Sequence, residues 1–181
     1  MRRSILRAAL VAAVIGLPMA ASSASAQCTA SGAPANCGLP GTVSMTAGRV
    51  VRLQMTAVST PLTAPVPADF DAGFNATSGP TLTVSANASW TLSLRAAAAT
   101  WTATNTSPGA PARANKPAAD LKWSKLSTGP FTALTTSDVT LVTGAATASS
   151  ATTLFFQTLY SWTLDTPGNY SMAIVLTLTS P

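Results

Sequence analysis

An all-β fold, an antiparallel β-sandwich, is what this sequence predicts, and three observations predict it. From Gly41 onward, short stretches alternate apolar and hydroxyl-bearing residues, the period-2 pattern of strands with one buried face. Gly, Pro, Asn and Asp punctuate those stretches at regular intervals, which leaves strands of ordinary length between turns. Only 8% of the residues are charged while 47% are hydrophobic, so the exterior must be solvated by Thr and Ser hydroxyls, and threonine, branched at Cβ, suits a strand. About eight to ten strands in two sheets packed face to face, immunoglobulin-like or jelly-roll-like in arrangement, are expected.

The chain opens on an export leader. Arg2, Arg3 and Arg7 form a charged segment, residues 8–17 an apolar one, and Ala24-Ser25-Ala26 a small-residue cleavage site before Gln27. Residues 1–26 are therefore read as a cleaved signal peptide. The apolar segment is far shorter than the roughly 20 residues that cross a bilayer, and Pro18 interrupts it, so the mature chain is expected to carry no transmembrane segment. Gln27 stands where a lipid-anchored protein has a small residue before its cysteine, and lipid anchoring is not expected.

Residues 27–41 form the next piece. Cys28 and Cys37 are the only cysteines, and in an oxidising compartment such a pair closes a loop. The chain-entropy model gives a loop of this size about 2.5–3 kcal/mol.

Residues 42–181 follow as one sandwich domain. Residues 42–46 and 49–57 read as strands around a turn at Ala47-Gly48, with Val51, Leu53 and Met55 on one face. Residues 59–68 carry Pro61, Pro65 and Pro67 and read as an extended connection. Residues 81–86 put Leu82 and Val84 inward, and residues 89–95 do the same with Trp90, Leu92 and Leu94, so the two are expected to form a hairpin around Asn87-Ala88. A strand over 99–104 surrounds Trp101, and residues 105–119 form the longest loop. Residues 121–126 and 139–143 are further strands, with a small-residue link over 144–150. Residues 153–164 are apolar enough for a central strand, and 165–170 turn into a last strand over 171–179. The Ala-rich pieces near Ala97 and Ala145 are too short to hold a helix alone.

The residue inventory excludes most chemistry. There is no histidine and no glutamate, so neither a Ser-His-Asp relay nor the usual zinc set can be assembled, and a carboxylate pair would have to come from Asp69, Asp71, Asp120, Asp138 and Asp165. No enzymatic activity and no cofactor are expected. Residues 69–75 place Asp69 and Asp71 as a calcium loop does, but Gly73 and Pro80 stand where that loop needs other spacing and a glutamate; a polar turn is the expectation. Once the leader is removed, seven basic and five acidic side chains remain. The bases are scattered, with Arg113 to Lys125 read as a solvated loop and strand face, so nucleic acid is not an expected partner.

Ser-Trp-Thr-Leu occurs twice, at residues 89–92 and 161–164. In these segments the chain resembles the WxL family of bacterial cell-surface domains. The resemblance implies a β-rich fold, non-covalent attachment to the cell wall, and Trp90, Leu92, Trp162 and Leu164 as signature positions. The Pro-Gly-Asn-Tyr turn at 167–170 and the strand after it are similar to the closing strands of secreted spore-coat and pilin-related β-sandwiches. Read from the residues alone, Trp90 and Trp162 are inward-facing members of two equivalent core strands. Trp101 and Trp123, beside the long loop, are candidates for stacking on sugar rings if they face solvent.

The expectation is a secreted bacterial protein of the cell surface, extracellular space or periplasm, structural or adhesive in role. A carbohydrate-binding module using exposed tryptophans is the alternative. Expected partners are cell-envelope polysaccharide, other surface proteins, or a second copy paired along an edge strand, since the last strand is long and uncharged.

Overall fold

Strand alternation does produce a sandwich. The computed structural model describes residues 28–34, 36–39, 41–106 and 111–181; the expected leader lies outside the described residues. The chain divides into two compact units, 1–46 and 47–181. In the first, Cys28 and Cys37 form the expected disulfide, their Cα atoms 5.8 Å apart. Residues 42–46, expected to be a strand, find no strand partner among the described residues, and Val43 and Met45 are 100% and 88% exposed. Alternation supplies a strand's faces, but only a partner supplies its ladder.

The second unit holds ten strands: β1 (Val51–Met55), β2 (Phe74–Ala86), β3 (Trp90–Ala96), β4 (Thr102–Asn105), β5 (Leu121–Ser124), β6 (Thr132–Ala133), β7 (Val139–Gly144), β8 (Thr147–Leu159), β9 (Gly168–Ser171) and β10 (Ile174–Thr179). All pairings between them are antiparallel. A five-stranded sheet runs β1-β2-β8-β5-β6, a three-stranded sheet β10-β3-β7, and β4 pairs with β9. No described helix is long and apolar enough to cross a membrane.

Both sheets send their alternate residues into one core. Leu82 and Val84 come from β2, Leu154 and Phe156 from β8, and Leu121 and Trp123 from β5; Trp90, Leu92 and Leu94 of β3 and Leu141 of β7 meet them from the other sheet. Leu82, Leu92, Leu94 and Leu154 are wholly inaccessible, and burying each stabilises the fold by about 1.5–3 kcal/mol. Trp90 lies against Gly144, where a Cβ would come within 2.5 Å of the indole, and donates its N–H to Ala145 O at 2.8 Å.

Residues 81–86 and 89–95 are inward-facing as expected but are not a hairpin. β2 pairs with β1 and β8, while β3 pairs with β10 and β7. Asn87 is the reason: its backbone N–H donates to Val50 O, its Oδ1 accepts from the Val50 N–H, and its Nδ2 donates to Gly48 O. These bonds prolong the β1–β2 ladder, so the chain leaves the turn into the opposite sheet.

Other boundaries shift for similar reasons. The link expected over 144–150 shrinks, because β8 already begins at Thr147 opposite Ala86 and runs 13 residues along β2. The last strand is divided, β9 pairing with β4 and β10 with β3. The connection over 59–68 ends in a helix, α1 (Pro67–Ala72), that the reading of 69–75 as a turn did not anticipate. Pro67 starts it, the Asp69 carboxylate accepts the Val66 N–H at 2.8 Å, and Gly73 closes it with a left-handed φ of 78°.

Candidate functional site

Two places in the second unit gather chemistry. One is a group of buried charges beside aromatic rings, and the other is an opening between sheet edges.

Arg113 and Lys116 were expected on a solvated face, and this is corrected: Lys116 is only 2% exposed. Its ammonium donates to Leu159 O at 2.8 Å, Asp165 Oδ1 at 2.9 Å and Asp120 Oδ2 at 3.2 Å. Arg113 Nη1 donates to the same two carboxylates at 3.1 and 3.3 Å. Burying an unpaired ammonium is prohibitively costly, and here two cations face two anions. Asp165 also accepts the Ser161 N–H at 2.9 Å, the turn role expected of it. Around the group, the Tyr170 hydroxyl donates to Thr166 O and accepts the Arg113 N–H, so residues 111–117 are latched onto the turn between β8 and β9. The i,i+4 spacing of Lys116 and Asp120 was the only local sign of this group.

The two Ser-Trp-Thr-Leu segments part company. Trp90 and Leu92 are buried in β3, whereas Trp162 and Leu164 are 60% and 54% exposed. The expectation that Trp162 is a core residue is corrected by the turn that begins at Ser161: the Asp165 N–H donates to Ser161 O at 3.0 Å and ends the strand at Leu159, before the tryptophan. Trp162 is nevertheless held in place. Its ring stacks on Phe70 of α1 with centroids 4.7 Å apart and planes at 29°, and its N–H donates to Asp71 Oδ1 at 3.0 Å. Tyr160 packs on the same Phe70 at 5.4 Å. Burial pushes the Tyr160 phenol above its ordinary value, with the charges of Asp69 and Asp165 adding to the rise and a hydrogen bond with Thr158 opposing it.

Trp101 and Trp123, the candidates for sugar stacking, are 4% and 7% exposed. Both belong to the core and neither faces solvent as the stacking role requires, so that role is corrected; Trp101 shows only an inner edge to neighbouring cavities. Trp101 donates its N–H to Pro117 O at 3.1 Å, while the Trp123 N–H finds no partner among the described residues. Asp69, considered for calcium, spends Oδ2 on the Val66 N–H and the Asn75 amide. No group of three or more metal-ligating side chains occurs among the described residues.

The opening lies between β1 and β10, each at the edge of its own sheet. A cleft of about 760 Å³ there is lined by Leu53 and Met55 of β1, Ile174 and Leu176 of β10, and the buried Leu121 and Phe156. The core is thus reachable from one flank, between two strands whose outer backbone groups have no ladder partner among the described residues.

No protein-family model matches the chain, and no curated protein matches it.

Proposed function

We propose that this chain is an exported, non-catalytic structural subunit of the bacterial surface or extracellular space, joined to further copies of itself by strand addition at the β1–β10 flank. The observation that carries the reading is the flank: two free strand edges border an apolar cleft that reaches the core. An added strand would satisfy backbone groups along an edge and place alternate side chains over the cleft. The stretch 42–46 has the form such a strand needs, with Val43 and Met45 alternating with hydroxyl residues and lying exposed. The leader and the disulfide support export to an oxidising compartment. The hydroxyl-rich, charge-poor exterior and the absence of histidine and glutamate from the sequence support a role in packing rather than in chemistry.

Light scattering on the purified, processed chain tests this. Oligomers are expected whose fraction rises with concentration, and a chain carrying Val43→Asp and Met45→Asp is expected to stay monomeric with its thermal unfolding otherwise unchanged. A synthetic peptide of residues 41–49 should bind that monomer and stabilise it, by about 2.7 kcal/mol at a hundredfold excess over its dissociation constant. A chain that remains monomeric at all concentrations and ignores the peptide rules the reading out.

A further inference from the structure

We propose that the cavity beside Trp162 is a binding site for a neutral oligosaccharide, with the solvent-facing side of the Trp162 indole as the platform for one pyranose ring. The site adjoins the cleft at the β1–β10 flank, the two sharing Leu62, Trp101 and Tyr170 in their walls, but the proposal does not depend on the assembly reading.

Trp162 is 60% exposed. A tryptophan left mostly in water forfeits the burial that ordinarily accounts for its presence, yet this one is fixed from two directions, by the stack on Phe70 and by the hydrogen bond from its N–H to Asp71. Phe70 and Asp71 both sit on α1, and α1 is tied to the end of β8 by the Tyr160 N–H donating to Gly73 O at 2.9 Å. The plane of the indole is therefore set before any ligand arrives, and such preorganisation lowers the ordering cost of binding. A flat, rigid, apolar face presented to water is complementary to the C–H face of a sugar ring.

The cavity measures about 670 Å³, within the roughly 300–1,000 Å³ of small-ligand sites, and its walls mix the rings of Phe70, Tyr160 and Trp162 with Thr63, Thr158 and Asn169. Hydroxyl and amide groups both donate and accept, which suits sugar hydroxyls that do the same.

Lys116 and Asp165 also line the cavity, but the two cations of the buried group are matched by two carboxylates, and the Lys116 ammonium already donates to three acceptors. Among the residues lining the cavity no charge is left unmatched to attract an ionic ligand, so the sugar is neutral.

The four tryptophans give the test its readout, since each contributes one indole N–H resonance in a nitrogen-15 spectrum. The processed chain is titrated separately with maltotriose and cellotriose, and with n-butanol as an apolar probe. The Trp162 resonance is expected to shift saturably at millimolar concentration with at least one trisaccharide, while those of Trp90 and Trp123 stay in place. Trp162→Ala should abolish binding, and Trp162→Phe should weaken it about tenfold while retaining it. No saturable shift with either trisaccharide overturns the proposal. So does binding that survives Trp162→Ala, or an equal response to butanol, which would mark the patch as merely apolar.

Discussion

Three of the four tryptophans donate their indole N–H and one does not, a difference with measurable consequences. Trp90, Trp101 and Trp162 reach Ala145 O, Pro117 O and Asp71 Oδ1, whereas Trp123 is buried without a partner among the described residues. An unpaired buried donor costs about 1–3 kcal/mol, and a formed hydrogen bond returns about 1 kcal/mol. Trp90→Phe is therefore expected to destabilise the fold more than Trp123→Phe, by about 2–4 kcal/mol in denaturant titrations, although both remove the same volume. Tyr160 offers a second test. Its folded pKa is raised above the ordinary value of 10.0 mainly by burial, so the stability linked to its neutral form is complete below pH 10.0 and declines as pH rises from there through the folded value. Thermal melts across the alkaline range should fall less steeply for Tyr160→Phe than for the parent chain.

At the scale of elements, the loop over 111–117 and the turn between β8 and β9 behave as one piece because the buried charges join them. Removing one member of such a group strands the others, at a cost of about 3–5 kcal/mol. Lys116→Met should show that loss in equilibrium unfolding. Pairing it with Asp165→Asn, which removes one anion along with the cation and keeps an acceptor for the Ser161 N–H, should cost less than the two single changes added together. The sequence announced its strands far better than this latch. Alternation marked Leu82, Val84, Leu92 and Leu94 as core because each strand buries one whole face, and a period of two survives any choice of neighbour. Lys116 carried no comparable sign: its burial depends on Asp165, 49 residues away, and on the backbone at Leu159. Trp162 was misread for a related reason. Its local sequence repeats that of Trp90, and only the closure of the turn by Asp165 puts it outside the strand.

For the whole molecule, the sandwich was legible and the partnering within it was not. The strands over 81–86 and 89–95 look like a hairpin in sequence because two residues separate them, but the polar groups of Asn87 bind residues 48 and 50 and settle the matter elsewhere. The length and lack of charge of the last strand did mark it as an edge, and β10 is one, but its place beside β1 was not legible, since which edges meet is set by nonlocal pairing.

Long-range pairing also sets the order in which this molecule can be built. β8 joins β2 with Phe74 opposite Leu159, and β10 joins β3 with Thr91 opposite Thr179, 88 residues apart. A chain delivered from its N-terminus cannot complete the second sheet until residues 174–179 have emerged. Such high contact order places folding in the millisecond-to-second range, well behind local collapse. Until then the apolar faces of β2 and β3 are laid out without their partners, so aggregation risk is greatest before β8 and β10 have emerged.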